Sequence, residues 1–517
     1  MKIGFVNFYS FRPHVEHSVY LAHLCELGGH ETVFLTCDAH LPLCYPRALK
    51  QTNKLTECSK CILGGFRSYD VGPISSLSEG PKQLCAEDLD ALALSSACTL
   101  NRTESEDDWS SDAVQKTIRE LRAPVDKAFS AVSRWIEEQG IDAVICFNGR
   151  MDVTRAATYA CERLGIPYIT HERTWFGDGL NLNPNANCLS LRAVNEMVAN
   201  FDDKPLTKDQ SLHAGKLAGE RFLQRNSLEW RLYNQNPEPA PWPVQTRGLR
   251  VLVVPSSKNE FAGHADWESG WSDNTHALDD LFEAFSINPS QVVVRCHPNW
   301  AENIGKATGE RSLNHYVNWA RLRGVHCIHS EDKANTYELI QQADVVVMNG
   351  GSSAVEAGVC GKQVICLGPS TYQSAGFVRT FHNRSELLQD GALDPLAPDV
   401  VRRKTLRFLY LRSRRLPQYV DYVRALDTTT YRYFSGGDPD RLEMMFRKGV
   451  VLPDDERYAD DTAYEDEVIR MLVAHDWGSL ADYVEDRPHL EPLGIGRRQG
   501  FGWVDKVRGR MSRGDRG

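Results

Sequence analysis

Residues Ala343 to Leu367 read ADVVVMNGGSSAVEAGVCGKQVICL, and this stretch decides the fold class. Val345-Val346-Val347 is apolar without alternation, as in a strand buried on both faces. Gly350-Gly351 permits a tight turn and close approach of a ligand, and Ser352-Ser353 opens a helix. Gly361 closes that helix, and Gln363 to Leu367 makes a second buried strand. Two strands joined by a helix in so short a span run parallel and need helices on both faces of their sheet.

The same rhythm extends outward in both directions. Strands are expected at Leu249 to Pro255, Gln291 to Cys296 and His326 to Ser330. In the first third they are expected at Lys2 to Asn7, Glu31 to Thr36, Asp142 to Phe147 and Ile166 to Thr170. Helices fall between them at Val15 to Leu27, Val125 to Gln139 and Val153 to Leu164. The expected fold is α/β, with two Rossmann-like doubly wound domains facing a cleft. Residues 1–198 form the first domain, with a cysteine-containing insert at 37–65. A helical segment and linker cover 199–246, where Pro237, Pro239, Pro241 and Pro243 recur. The second domain covers 247–430, and 431–517 is a partly flexible extension, acidic from Pro453 to Glu467 and basic from Arg497 to Arg516.

At 517 residues, with 42% hydrophobic and 25% charged positions, the chain can bury two sizeable cores. Its net charge of −10 gives no argument for nucleic acid. The apolar run Ile3 to Phe8 is too short for a signal peptide or a membrane span, and no later segment has eighteen unbroken apolar residues, so a cytoplasmic protein is expected. The run Val401 to Arg415 mixes seven basic residues with Leu406, Phe408, Leu409, Tyr410 and Leu411. It admits two readings, a peripheral contact with an anionic membrane at the inner face or a helix whose apolar side packs on the core. Of the fourteen cysteines, Cys37, Cys44, Cys58 and Cys61 stand apart as C-x6-C-x13-C-x2-C. Four thiolates suit a structural zinc, although only half of the pattern is a CxxC knuckle; free thiols are the other reading.

Two turns carry the chemistry. Arg295-Cys296-His297-Pro298 ends a strand, and Pro298 fixes the turn, so Arg295 and His297 bracket a rigid corner where an imidazole can donate to phosphate. The second is the Gly350 to Ser353 turn, with Glu356 on the helix that follows. Glu356 either binds sugar hydroxyls or closes a capping box with Ser353. Lys258 lies in the loop that leaves the second domain's first strand, placed either to neutralise phosphate or to sit solvated on the turn. The Gly263 to Thr275 loop, with His264, Trp267 and Trp271, is long for a plain connection.

The series Arg295-x-His297-Pro298, Ala343 to Val347, Gly351-Ser352-Ser353-Ala354-Val355-Glu356-Ala357 and Gly361 to Ile365 resembles the C-terminal domain of bacterial capsule and surface polysaccharide biosynthesis proteins. Those are glycosyltransferases of the two-domain GT-B fold. A looser likeness covers Phe147-Asn148-Gly149-Arg150, Gly165-Ile166-Pro167 and His171-Glu172-Arg173 on the acceptor side. The resemblance implies a sugar moved from a nucleotide-sugar donor to a surface glycan, with Arg295, His297, Ser352, Ser353 and Glu356 on the donor; by position Lys258 is a further donor contact, and Asn148 and Arg150, at another strand exit, either bind the acceptor or steer phosphate, or form the turn around Gly149. It implies no catalytic metal and a general base from the first domain, Glu172 with His14 as the alternate. A similar pattern occurs in UDP-sugar 2-epimerases and polyol-phosphate transferases, which leaves those reactions, and a non-catalytic nucleotide- or glycan-binding scaffold, as alternatives.

Overall fold

A computed structural model describes residues 1–78, 80–229, 236–302, 308–390 and 394–510. The start of the proline-rich linker and the end of the basic tail fall outside the described residues. Two six-stranded sheets form the frame. In the first, β1 (Lys2–Asn7), β2 (Glu31–Thr36), β3 (Ile74–Ser76), β4 (Ala143–Phe147), β5 (Tyr168–Arg173) and β6 (Leu180–Pro184) lie in the order 3-2-1-4-5-6. All pairs are parallel except β5 with β6. In the second, β7 (Val251–Val253), β8 (Val292–Arg295), β9 (His326–Ile328), β10 (Val345–Met348), β11 (Gln363–Leu367) and β12 (Val378–Phe381) repeat that order, all parallel. This is the doubly wound order, with a switch point between β1 and β4 and another between β7 and β10. The expectation of two such domains holds.

The cause lies in the strands themselves. The second sheet's central strands are unbroken Val and Ile runs, buried on both faces, and helices cover each side. The first sheet is likewise sandwiched between two apolar clusters.

Chain order and core membership differ at two places. Helices Arg192–Phe201 and Lys208–Phe222 send Val194, Met197, Val198, Ala214 and Ala218 into the core of the second sheet. Conversely, Tyr419, Val423, Tyr433, Leu442 and Met445 join the core of the first sheet. The extension expected to be partly flexible is thus packed in part, through residues up to Leu480, whereas none of residues 481–500 is buried. It also adds a small sheet, β13 (Val423–Ala425), β14 (Tyr431–Phe434) and β15 (Pro492–Leu493), and buries Val468, Leu472 and Leu480.

β5 runs further than the sequence implied, to Arg173 rather than Thr170. Antiparallel β6 extends it by pairing Arg173 with Leu180 and His171 with Leu182. His171 and Glu172 thus sit inside a paired strand and do not follow its exit.

The basic run Val401 to Arg415 takes the core reading. Leu406, Phe408, Leu409, Tyr410 and Leu411 are buried, and most of the cations are paired within the chain. Arg403 and Arg407 hold Glu465, Lys404 holds Asp202, and Arg414 holds Glu485. The apolar side that a membrane contact requires is occupied. No helix is long and apolar enough to cross a membrane among the described residues.

Candidate functional site

In a parallel sheet every strand delivers its following loop to the same edge, so the exits of β7, β8, β10 and β11 converge. They form one wall of an interdomain cleft of about 430 Å³: Ser256 and Ser257 after β7, His297 and Asn299 after β8, Gly350, Gly351 and Ser352 after β10, and Ser370 to Tyr372 after β11. The facing wall comes from the first domain, with Trp175 in the β5–β6 turn, Asn181 and Asn183 on β6, and Cys188 to Ser190 beyond it. Arg412 closes one end.

The second wall is fastened at its switch point. Ser256 N–H donates to Asn349 Oδ1 and Asn349 Nδ2 donates back to Ser256 O, both at 2.8 Å. Trp300 Nε1 donates to Ser257 Oγ at 2.8 Å and so ties the β8 exit to the β7 exit. Gly350 and Gly351 adopt φ of 126° and 93°, which side chains resist, so the turn lies flat against the cleft. The long loop after β7 bridges the domains. Trp267 Nε1 donates to Leu189 O at 2.7 Å, His264 Nε2 lies 2.9 Å from Asn187 Oδ1, and Ser95 Oγ donates to Glu260 O at 2.7 Å.

Of the donor-side residues expected from sequence, His297 and Ser352 line the cleft, and Ser353 begins the helix Ser353–Val359 beside it. His297 Nδ1 accepts from Asn299 N–H at 3.2 Å. Burial and neighbouring Arg295 push its pKa down to about 4. The ring is therefore neutral at ordinary pH, with its proton on Nε2 as a donor.

Arg295, Glu356 and Lys258 sit elsewhere. Arg295 is fully buried, and its guanidinium donates to the carbonyls of Cys296, His329 and Asp332 at 3.1, 2.5 and 2.8 Å. It splices the β8 exit to the loop after β9. Glu356 is 2% exposed and pairs with Arg221, which also holds Glu229 at 2.5 Å and lies 4.9 Å from the ring centre of Trp175. Neither the capping box nor a cleft contact forms, because a buried guanidinium on the helix Lys208–Phe222, packed directly against the helix that carries Glu356, claims the carboxylate first. Lys258 faces a neighbouring pocket instead of the cleft.

On the first domain, Asn148, Glu172 and His14 come together. Asn148 Nδ2 donates to Glu172 Oε2 at 2.9 Å, and His14 Nε2 is 3.3 Å from Glu172 Oε1. Burial holds the Glu172 carboxyl above its usual range and the His14 imidazole well below its own. The group stands one strand behind the cleft wall, with Glu172 paired in register to Asn181 of β6. Arg150 is buried, donates to Ser95 Oγ and Thr99 Oγ1 at 3.0 and 3.2 Å, and approaches Glu260 at 4.0 Å, which makes it a brace between domains.

Cys37, Cys44, Cys58 and Cys61 all line one small pocket at the edge of β1 and β2. Among the described residues no group of three or more His, Cys, Asp or Glu stands close enough to hold a metal ion. The structural-zinc expectation is corrected accordingly. Cys58 and Cys61 belong to the helix Lys54–Gly64, whose backbone N–H groups are spent within the helix, whereas a knuckle needs a turn whose N–H groups face the sulfurs.

Arg412 was not singled out within the basic run, yet it is the residue of that run left without a hydrogen bond or ion pair among the described residues. It lies on a π-helical turn, Leu411–Arg415, that breaks the register of the preceding helix Pro398–Tyr410. Burial lowers its pKa to about 10, so it stays charged. Asn181 and Asn183 were missed as well. The alternation Leu180-Asn181-Leu182-Asn183 was the available signal, apolar inward and amide toward the cleft.

No protein-family model matches the chain, and no curated protein matches it. Among solved structures it is similar to KpsC of Thermosulfurimonas dismutans, a β-Kdo 2,4 transferase, at 17% identity and a TM-score of 0.35 over 65% of this chain and 88% of that one. It is also similar to UDP-GlcNAc 2-epimerase from Neisseria meningitidis bound to UDP-GlcNAc, at 11% identity and 0.27 over 80% and 97%, and to spinosyn rhamnosyltransferase SpnG, at 12% and 0.23 over 80% and 96%. At such scores these similarities add nothing to what the two sheets already establish about the fold.

Proposed function

We propose that the chain is a glycosyltransferase that moves a sugar from a nucleotide-sugar donor to a glycan acceptor such as a surface polysaccharide. The observation that carries this is the cleft: a switch-point edge bearing His297 and Ser352, with Arg412 at one end and free of hydrogen bonds and ion pairs among the described residues, faces an amide-lined edge of a second doubly wound domain. Leaving-group phosphate needs fixed positive charge and aimed N–H donors, and Arg412 with His297 Nε2–H supply both without a metal. Asn181 and Asn183 offer donors and acceptors suited to acceptor hydroxyls. Glu172 is the proposed base, a carboxyl that burial holds above its usual range, with His14 Nε2 at 3.3 Å as its neighbour.

The test is nucleotide release from CMP-, UDP-, GDP- and dTDP-sugars, with and without a bacterial glycan acceptor. Release from one donor that rises with acceptor is the expected result. Sugar-nucleotide conversion independent of acceptor would replace this reading with epimerisation, and binding without turnover would replace it with a scaffold.

A further inference from the structure

Beside the cleft lies a second pocket of about 290 Å³, with Phe261 and Trp267 on the walls of both. Thr103 to Glu106 of the first domain form one side, and the 258–274 loop of the second domain forms the other. Three polar groups here are short of partners among the described residues, two of them buried, Glu104 and Asn259, and one half-buried, Lys258. Glu104 is 4% exposed; one oxygen accepts from the Ser312 hydroxyl, the Ser257 hydroxyl also stands beside the carboxyl, and the second oxygen makes no well-formed hydrogen bond among the described residues. Asn259 is 7% exposed, and its amide nitrogen is likewise unpartnered. The Lys258 ammonium makes no hydrogen bond or ion pair among the described residues and lies close to the backbone of Gly368.

A buried donor or acceptor left without a partner loses the hydrogen bonds that water gave it and gains none in return. Three in one cavity therefore point to a ligand that completes them. Their chemistry is directional. Lys258 and Asn259 present donors and a positive charge. Burial lifts Glu104 to about 7, which leaves a carboxyl able to exchange a hydrogen bond with a hydroxyl. Trp267, stacked at 3.8 Å on Phe261, and half-buried Trp109 offer flat apolar faces. The cavity has room for one ring.

We propose that this pocket binds a single pyranose carrying one anionic group, with its carboxylate or phosphate against Lys258 and Asn259 and a hydroxyl against Glu104. The site stands on its own groups and does not depend on the reaction in the cleft.

Titration of the full-length protein with glucuronate, glucose 6-phosphate, glucose and inorganic phosphate, followed by calorimetry, tests it. At least one of the two anionic sugars binds in the millimolar range, roughly tenfold tighter than glucose or phosphate alone. Whichever of the two binds better identifies the anion. Lys258→Met weakens that binding roughly tenfold, whereas Arg412→Met, which changes the cleft, leaves it within about twofold. Asn259→Leu is the second variant; it removes a partnerless amide, so the fold tolerates it, and it too weakens binding. Absence of binding by both anionic sugars, equal binding of glucose or of phosphate alone, or unchanged binding in both Lys258→Met and Asn259→Leu would overturn the proposal.

Discussion

Two arginines of the second domain illustrate how little residue type says about role. Arg295 adjoins the His-Pro corner yet spends donors on three carbonyls, while Arg412 hides in a basic run and faces the cleft 5.9 Å from the ring centre of Trp175, with no hydrogen bond or ion pair among the described residues. Arg412→Met is expected to weaken donor binding at least tenfold, read by calorimetry, and to leave the melting temperature of the unliganded protein unchanged or higher, because an unpaired half-buried charge is removed. Glu356 makes the opposite case. Glu356→Gln leaves Arg221 short of one carboxylate in a buried site, and the urea midpoint should fall by the equivalent of about 3 kcal/mol, at the low end of the range for broken buried pairs since Glu229 remains. Nucleotide affinity should stay within about twofold; a selective loss of affinity would return Glu356 to the donor site. His297 was readable because Pro298 fixes its backbone locally. The fate of Arg295 and Glu356 was not, because their partners lie on other elements.

At the scale of elements, the strands were readable from their apolar runs, and Gln363 to Leu367 begins and ends where the sequence places it. β6 was overlooked, and with it the reach of β5, since an edge strand of alternating Leu and Asn is a weak signal until its partner is known. The helix Pro398–Tyr410 shows the same dependence. Its charges leave a membrane face and a core-packed helix both open until Glu465, on the helix Ala463–Val473, is seen to accept from Arg403, Arg407 and the Leu206 N–H while fully buried. Glu465→Gln removes the charge that neutralises two arginines. We expect a loss of about 3–5 kcal/mol in chemical denaturation, with the helix Ala463–Val473 the first to lose hydrogen-exchange protection.

Across the whole molecule, the two halves trade segments: helices from the end of the first half complete the second core, and the residues from Tyr419 to Phe446 complete the first, while Val468, Leu472 and Leu480 return to the second. One consequence is a buried histidine cluster. His14 and His17 of the helix His14–Leu27 meet His171 of β5, with ring centres 6.0 to 6.4 Å apart, and Tyr433 Oη of β14 lies 3.0 Å from His17 Nδ1. Burial pushes all three imidazoles well below their ordinary value. Above about pH 6.5 both folded and unfolded states are neutral, and stability is complete; below it the unfolded chain takes up protons that the folded cluster refuses, so stability is lost as pH falls. Glu104 and Glu229, both lifted to about 7, act in the opposite sense over the same interval, so the comparison must isolate one ring. His17→Phe should be less stable than the parent at pH 7.5, and that gap should narrow by about 1.4 kcal/mol for each pH unit below 6.5, measured by urea denaturation at pH 7.5 and 5.5.

What the sequence determined by itself was the pair of doubly wound sheets and the edge where the strand exits gather. Strand periodicity, glycine turns and the parallel crossover are local properties, and they oblige successive loops to emerge at one end. Which side chains at that edge are left for a ligand was decided only in three dimensions. An ionic group commits to whichever counter-charge the packing brings nearest, and those partners, Arg221 for Glu356 and the carbonyls beyond β9 for Arg295, arrive from residues far away along the chain.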